Sequence, residues 1–542
     1  MVLDLDRRRL LQLGALGTGA LAVPGTAAAL AAARGFTHGV ASGEPRQASV
    51  MLWTRFVPSN SQAASLDFQV SDSADFGRIL ASGSADATAD SDFTARAVAS
   101  GLDPGRWYFY RFRGPDGSLS PIGRTRTLPA GRIGRFTIGV FSCSNLPFGW
   151  FNAYAHAAGR RDIDLVLHLG DYLYEYERGR YPSAREALAG RIIDPPHEMV
   201  RLADYRLRYA AYRADPDLQR LHQLFPMVMM WDDHESANDS HRDGAENHQP
   251  ETEGDWGERK AIAMRVAREW LPLSGNDFET YQVGDLATLI RPETRLTARS
   301  GPLSLGRALA GKADLAAAIA AFRDGPWRDP ARSMLGPDQE ARLAAALTAS
   351  VASRTRWQVL GQQVLMGTLS TSPRFVEWAS AGAGPDRRRR AAVELAAAQA
   401  GLPANFDAWD GFPAARERLL RSALDADTNL VVLTGDTHNA WAFDLDLGGE
   451  RAGVEFAGQS VTSPGFEHGF PRVDPGEFAR AAVEDNRQLK WANTRDRGYM
   501  TLTLTPERAT CEWLFLDTIR NRSTAIAGTH RLGVRRGRNR LA

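Results

Sequence analysis

Four short runs of this chain, Phe136–Val140, Leu165–Leu169, Met227–Trp231 and Leu430–Leu433, are apolar without the alternation of a half-buried strand, and long helical patterns lie between them. Strands read this way when both faces are covered. The covering patterns fall at Trp150–Ala158, Asp204–Arg213, Glu258–Trp270 and Asp338–Ala349. The fold class predicted for residues 131–520 is therefore α/β, a central β-sheet flanked by helices. The Ala-rich stretch Ala308–Ala321 is expected as one surface helix.

Before this region the grammar differs. Segments such as Val50–Arg55, Leu66–Val70 and Arg106–Arg113, the last after the turn Asp103-Pro104-Gly105, are short and alternating with no helical pattern among them. This predicts a small all-β domain over 34–130 that resembles a fibronectin type III or immunoglobulin-like sandwich, with a linker around Pro129, Ala130 and Gly131. Residues 521–542, with several arginines between Arg535 and Arg540, are expected to be a basic C-terminal tail.

Residues 1–33 combine Arg7, Arg8 and Arg9, the apolar run Leu10–Val23 and small residues around Ala27–Ala33. They read as a signal peptide, and the paired arginines before Leu10 and Leu11 resemble the twin-arginine type, which engages an export machinery for folded proteins. A general secretion signal and an N-terminal helix are the other readings. The apolar run is short of the roughly 20 residues of a span, so no stable membrane anchor and a secreted or periplasmic location are expected. With 65 basic against 64 acidic residues the formal charge is +1, which indicates no nucleic-acid-binding surface. The two cysteines, Cys143 and Cys511, leave one disulfide open; Cys143 lies in a polar loop suited to chemistry, Cys511 in an alternating strand pattern.

Each of the four buried runs ends in metal-capable side chains: Cys143 with Asn145; Gly170-Asp171-Tyr172-Leu173-Tyr174; Asp232-Asp233-His234-Glu235 with Asn238; and Gly435-Asp436-Thr437-His438-Asn439. Strand-end loops are where α/β folds build their sites. A single aspartate after a strand is commonly a turn residue or helix cap. Four clusters in the same register, with Cys, Tyr and His among them, are not what capping requires. No GxSxG occurs, and the nearest approach to a phosphate-binding loop, Gly306 to Lys312, is followed by Ala313 instead of Ser or Thr.

The order GDxxY, then Asp-His-Glu, then GDxH resembles the calcineurin-like metallophosphoesterase superfamily, and the forms WDDHE and GDTH resemble its PhoD branch. Phe36–Pro45 with Leu52-Trp53-Thr54-Arg55, Trp409-Asp410-Gly411-Phe412, Ser463-Pro464-Gly465 and Arg497-Gly498-Tyr499 continue the likeness over roughly 36–517; Glu44 departs from an expected Asp. The resemblance implies a sandwich-like metallophosphoesterase core. It also implies that Cys143, Asp171, Tyr174 and His438 bind Fe3+, with Asp171 bridging to a second site. Thiolate, phenolate and carboxylate favour a trivalent ion.

The second site would draw on Asp171, Asp436 and one or both of Asp233 and Asn238, an oxygen set that suits Ca2+ or Mg2+ and that the resemblance tips to Ca2+. His234 is the expected catalytic residue, as transition-state stabiliser or general acid, or else it holds a metal ligand in place. Arg295 and Arg299 are candidates for substrate binding, with solvated arginines as the alternative. The function implied is an exported alkaline phosphatase that hydrolyses phosphate monoesters, and diesters in some members, by metal-activated water. A phospholipase D-like phosphodiesterase and a non-catalytic exported metal-binding module are the rival readings.

Overall fold

The computed structural model describes residues 33–60, 62–381 and 384–542; the expected signal peptide lies almost wholly outside them. A nine-stranded sheet runs from edge to edge as β20 (Ile526–Arg535), β19 (Arg508–Leu516), β18 (Gly498–Leu504), β8 (Phe136–Phe141), β9 (Leu165–His168), β10 (Pro226–Met229), β1 (Gly35–Gly43), β2 (Ser49–Val57) and β5 (Thr94–Ser100). A seven-stranded sheet follows the order β11 (Glu279–Val283), β12 (Ala287–Arg291), β13 (Trp357–Gly361), β14 (Leu430–Thr434), β16 (Glu450–Ala457), β15 (Ala440–Leu447) and β17 (Leu489–Asn493). A third sheet orders β4 (Ile79–Ala87), β3 (Ala64–Ser71), β6 (Trp107–Arg113) and β7 (Gly123–Arg126).

The two large sheets face one another. Ile138, Val140, Leu167 and Val228 of one share a fully buried core with Leu289, Val359, Val431 and Phe456 of the other. Each such side chain contributes roughly 1.5–3 kcal/mol by leaving water. Helices cover the outer faces. Tyr154 of α1 (Asn152–Ala158), Tyr209 of α2 (Leu202–Arg213), Leu221 of α3 (Pro216–Leu224) and Trp270 of α4 (Trp256–Trp270) pack on the nine-stranded sheet. Leu343 of α5 (Gly336–Ala352), Leu420 of α6 (Pro413–Asp425) and Phe478 of α7 (Pro475–Asp485) pack on the other. The starts of α3 and α4 are set by Asp215 and Asp255, whose carboxylates accept from first-turn amides.

The predicted strands form within a residue or two of their expected bounds, and the core is a two-sheet sandwich flanked by helices. The N-terminal strands do not stand apart from it. Strand β1 pairs in parallel with β10 (Ser42 opposite Pro226), so β1, β2 and β5 extend the nine-stranded sheet, and they pack on the four-stranded sheet through Val50, Leu52, Leu66 and Tyr110. Residues 526–535, expected within a basic tail, form edge strand β20. The Ala-rich stretch is two helices, Leu305–Leu309 and Leu315–Asp324, rather than one, with Gly311 at φ 71° between them, a left-handed conformation that ends a helix. Both cysteines are free and buried. Among the described residues no helix is long and apolar enough to cross a membrane.

Candidate metal centre

Parallel neighbours β8, β9 and β10 deliver Cys143, Asp171 and Asp233 to one end of the sandwich, and β14 of the facing sheet delivers Asp436 and His438. The loops turn sharply there. Cys143, Asp171, Asp436 and His438 adopt φ of 59°, 51°, 62° and 62°, a left-handed region that costs a non-glycine residue on the order of 1 kcal/mol or more and collects at functional sites. Gly170 at φ 101° has no substitute, since a Cβ would sit 2.4 Å from the Asp232 amide nitrogen. Glu235 holds the loops together: its buried carboxylate accepts from the amides of Asp171 (3.1 Å), Tyr172 (2.7 Å) and Asp232 (2.9 Å).

Single ligand atoms of Cys143, Asp171 and His438 lie within 4.8 Å of one another, and so do those of Asp171, Asp233 and His234, and of Asp232, Asp233 and Asp436. In the first group Tyr174 Oη donates to Asp171 Oδ2 (2.9 Å) and stands 3.1 Å from His438 Nε2. His438 Nδ1 meets the Pro464 carbonyl at 2.7 Å, which puts its proton there and leaves Nε2 as a lone pair facing Asp171 and Tyr174. Ser463 Oγ donates to Tyr174 Oη (2.7 Å). Burial, then the Asp171 carboxylate, pushes the Cys143 thiol and the Tyr174 phenol well above their ordinary pKa. A cation between them reverses that sign, and Asp171 Oδ1, buried with no hydrogen-bond partner, is the acceptor it would satisfy. The donor set fits a metal.

In the neighbouring group burial raises Asp436 against the pull of Arg295. Burial works against ionised Asp233 too, but Arg295 and His234 outweigh it and hold that carboxyl below the usual range. Asp232 Oδ2 has no hydrogen-bond partner. Arg295 and Arg299 are not solvated: both are fully buried. Arg295 pairs with Asp232, with Asp407 at 2.6 Å and with Asp436 at 3.2 Å, while Arg299 pairs with Asp407.

His234 Nδ1 bonds the fully buried carboxylate of Glu175 at 2.7 Å, and its ring lies against that of Tyr174 with centroids 4.2 Å apart. Burial disfavours the imidazolium, yet Asp233, Glu175 and Asp171 together raise its pKa well above the ordinary value. A cavity of about 380 Å³ opens on this edge, lined by His234, His438, Asn238, Tyr176, Tyr181 and Arg180. The Asn238 amide nitrogen donates to Glu246 (3.2 Å). Arg295 and Arg299 do not line this cavity; Arg180, stacked over Tyr176 at 5.3 Å, does. Glu175 and Arg180 escaped sequence reasoning. Of the aromatic run, Tyr174 and Tyr176 face the centre while the Tyr172 hydroxyl turns away to His222 (2.8 Å).

A model of the PhoD-like phosphatase family matches residues 138–513, and a model of the PhoD-like phosphatase N-terminal domain matches 22–129. The chain is 31% identical over 522 residues to alkaline phosphatase D of Bacillus subtilis (strain 168), covering 91% of this chain and 79% of that protein. The solved structure of PhoD superposes with a TM-score of 0.76 at 27% identity, over 94% of this chain and 92% of that one. Purple acid phosphatase PPD1 from yellow lupin (Lupinus luteus) seeds shares the fold, with a TM-score of 0.54 at 11% identity over 92% of this chain and 74% of that one.

Proposed function

The chain belongs to the PhoD-like phosphatase family, and on that premise we propose how its residues divide the work of a metal-dependent phosphoesterase. Cys143, Asp171, Tyr174 and His438 hold a ferric ion; three anionic donors and one imidazole favour a trivalent metal. Asp171 would also serve an oxygen site, with Asp436 and one or both of Asp233 and Asn238, that suits calcium. The observation that carries this reading is the meeting of chain-distant donors at one point, on backbone held in the left-handed region, beside a buried carboxylate oxygen with no other partner.

Cations bound there would withdraw charge from the phosphoryl group and lower the pKa of the attacking water. The remaining steps belong to the side chains. With Nδ1 committed to Glu175, His234 keeps Nε2 free on the cavity side to hold a proton for the departing alkoxide oxygen. Arg180 supplies the cation for a phosphoryl oxygen. Arg295 and Arg299 position the buried Asp232 and Asp407 and the half-buried Asp436 as counter-charges instead of contacting phosphate.

Chelation of calcium with EGTA should abolish hydrolysis of p-nitrophenyl phosphate, and calcium but not zinc should restore it. Full activity in excess EGTA with no bound calcium would sink the oxygen-site assignment. Rates on bis-(p-nitrophenyl) phosphate beside the monoester rank phosphatase against phosphodiesterase, the activity that separates the two enzyme readings. We further propose that the precursor leaves the cytoplasm by a twin-arginine route, on the strength of Arg7–Arg9 and the apolar run after them. Arg8→Lys with Arg9→Lys should then retain activity in the cytoplasm; unchanged export would count against that route.

A further inference from the structure

Away from the centre, at the seam between the N-terminal strands and the helical layer, lies Arg213, the last residue of α2. It is fully buried, with its guanidinium over the indole of Trp53 at 4.3 Å. Its Nε, Nη1 and Nη2 atoms meet no carboxylate or carbonyl oxygen within hydrogen-bond distance among the described residues, and the Tyr172 hydroxyl is the one acceptor beside them. Asp215, two residues on, does not serve: one oxygen accepts from the amides of Asp217 and Leu218, and the other pairs with Arg191. A guanidinium cannot shed its proton to escape this environment. An unpaired charge so deeply buried costs several kcal/mol, more than one stacked aromatic face returns.

The polar groups around it share one character. The Ser42 and Tyr110 hydroxyls, from β1 and β6, are fully buried and lie beside one another, with no other hydrogen-bond partner among the described residues. His222 bonds the Tyr172 hydroxyl through Nε2 (2.8 Å), and its Nδ1 has no partner. With Tyr172 donating, that Nδ1 carries a proton. The charge of Arg213 acts on Tyr110, Tyr172, His222 and His38, so all lie within its field. Buried donors with spare capacity thus gather around a buried cation that pairs with no carboxylate among the described residues.

We propose that Arg213, with the hydroxyls of Ser42 and Tyr110 and with His222 beside them, encloses a small inorganic anion of the halide class. Every lining group is fully buried, so the occupant is sealed into the packed core, which suits a monatomic ion better than phosphate. The site joins strands β1, β2 and β6 to helices α2 and α3, and the ion acts as a bolt between the N-terminal strands and the layer behind the Asp171 loop.

Long-wavelength anomalous diffraction from the metal-loaded protein purified in chloride tests this directly, because it separates chloride from water. The expected result is an anomalous peak in contact with the Arg213 guanidinium. A refined water there, without anomalous signal, would overturn the proposal. Thermal unfolding in chloride and in gluconate at equal ionic strength gives a second readout. Chloride should raise the midpoint by a few degrees in the native protein and not in Arg213→Met. Should Arg213→Met fail to fold, Tyr110→Phe deletes one donor and should weaken the chloride effect roughly tenfold in concentration. Equal midpoints in the two salts for the native protein, or a chloride increment unchanged in Tyr110→Phe, would count against the site.

Discussion

Glu175→Gln is the sharpest probe of how His234 works. The substitution keeps shape and one acceptor oxygen but removes the charge from a carboxylate that His234 Nδ1 meets at 2.7 Å and that also accepts from the Asn238 amide (2.8 Å) and Asn247 Nδ2 (2.9 Å). A hydrogen bond between charged partners contributes about 1.5–3 kcal/mol, so its loss should lower kcat/KM by roughly 10- to 100-fold if imidazole orientation and protonation limit the rate. The pH profile should move as well. Asp233 and Asp171 also raise the pKa of His234, but any cation between them shares their charge, which leaves Glu175 as the partner whose pull persists. A general acid acts protonated, and the raised pKa keeps that form populated to higher pH. Taking away Glu175 lowers the pKa, so the alkaline limb should shift to lower pH. The assay is a double-mutant cycle with His234→Ala, which alone should cost kcat roughly 100-fold with metal content unchanged. In the His234→Ala background Glu175→Gln should add less than about twofold. If the two losses instead multiply, or if Glu175→Gln protein comes out depleted of metal, Glu175 acts on the centre itself and the reasoning fails.

Phenolate and thiolate bound to ferric iron absorb visible light, so Tyr174→Phe should bleach or strongly shift the band of the purified enzyme and weaken iron retention, and Cys143→Ser should alter the band differently; an unchanged Tyr174→Phe spectrum removes Tyr174 from the metal. Arg180→Ala should raise KM about tenfold with metal content intact, and a loss confined to kcat would deny it a role in holding substrate. Burial pushes His168 down to about 3, from 6.5, so the unfolded chain takes up a proton there that the native chain refuses. Stability should fall as pH drops below 6.5, by about 1.4 kcal/mol per pH unit for that one histidine. Urea melts at stepped pH should show a shallower acid slope in His168→Gln.

What the sequence revealed and what it hid divide along chain distance. Apolar runs such as Leu165–Leu169 and the ligand clusters after them are local patterns, and the strands and loops formed where they predicted. Assignment of β14 to a sheet facing β8, β9 and β10, and of β1 to the edge of β10, depends on pairings between distant segments that no local pattern encodes. The same limit applies to Arg295 and Arg299. An arginine in a polar run looks solvated until the fold brings Asp232, Asp407 and Asp436 around it. Glu175 was readable as one acidic residue inside an aromatic run, Tyr172-Leu173-Tyr174-Glu175-Tyr176, and only the fold places it behind His234. Glu235 resembles a fourth metal-capable residue in its motif, but its carboxylate is consumed by three backbone amides.

The order of strands in the nine-stranded sheet constrains how the molecule is made. Strand β8 ends at residue 141, and its neighbour β18 begins at residue 498. Throughout synthesis the open edge of β8 waits for a partner made much later, and a chain broken off before residue 498 exposes an unpaired edge to other chains. Such long-range closure is slow compared with local hairpins. The strap β18-β19-β20 is therefore a completeness check written into topology. A truncated product should be insoluble and protease-sensitive, and a transporter that admits only folded molecules would be testing, in effect, whether this strap has docked.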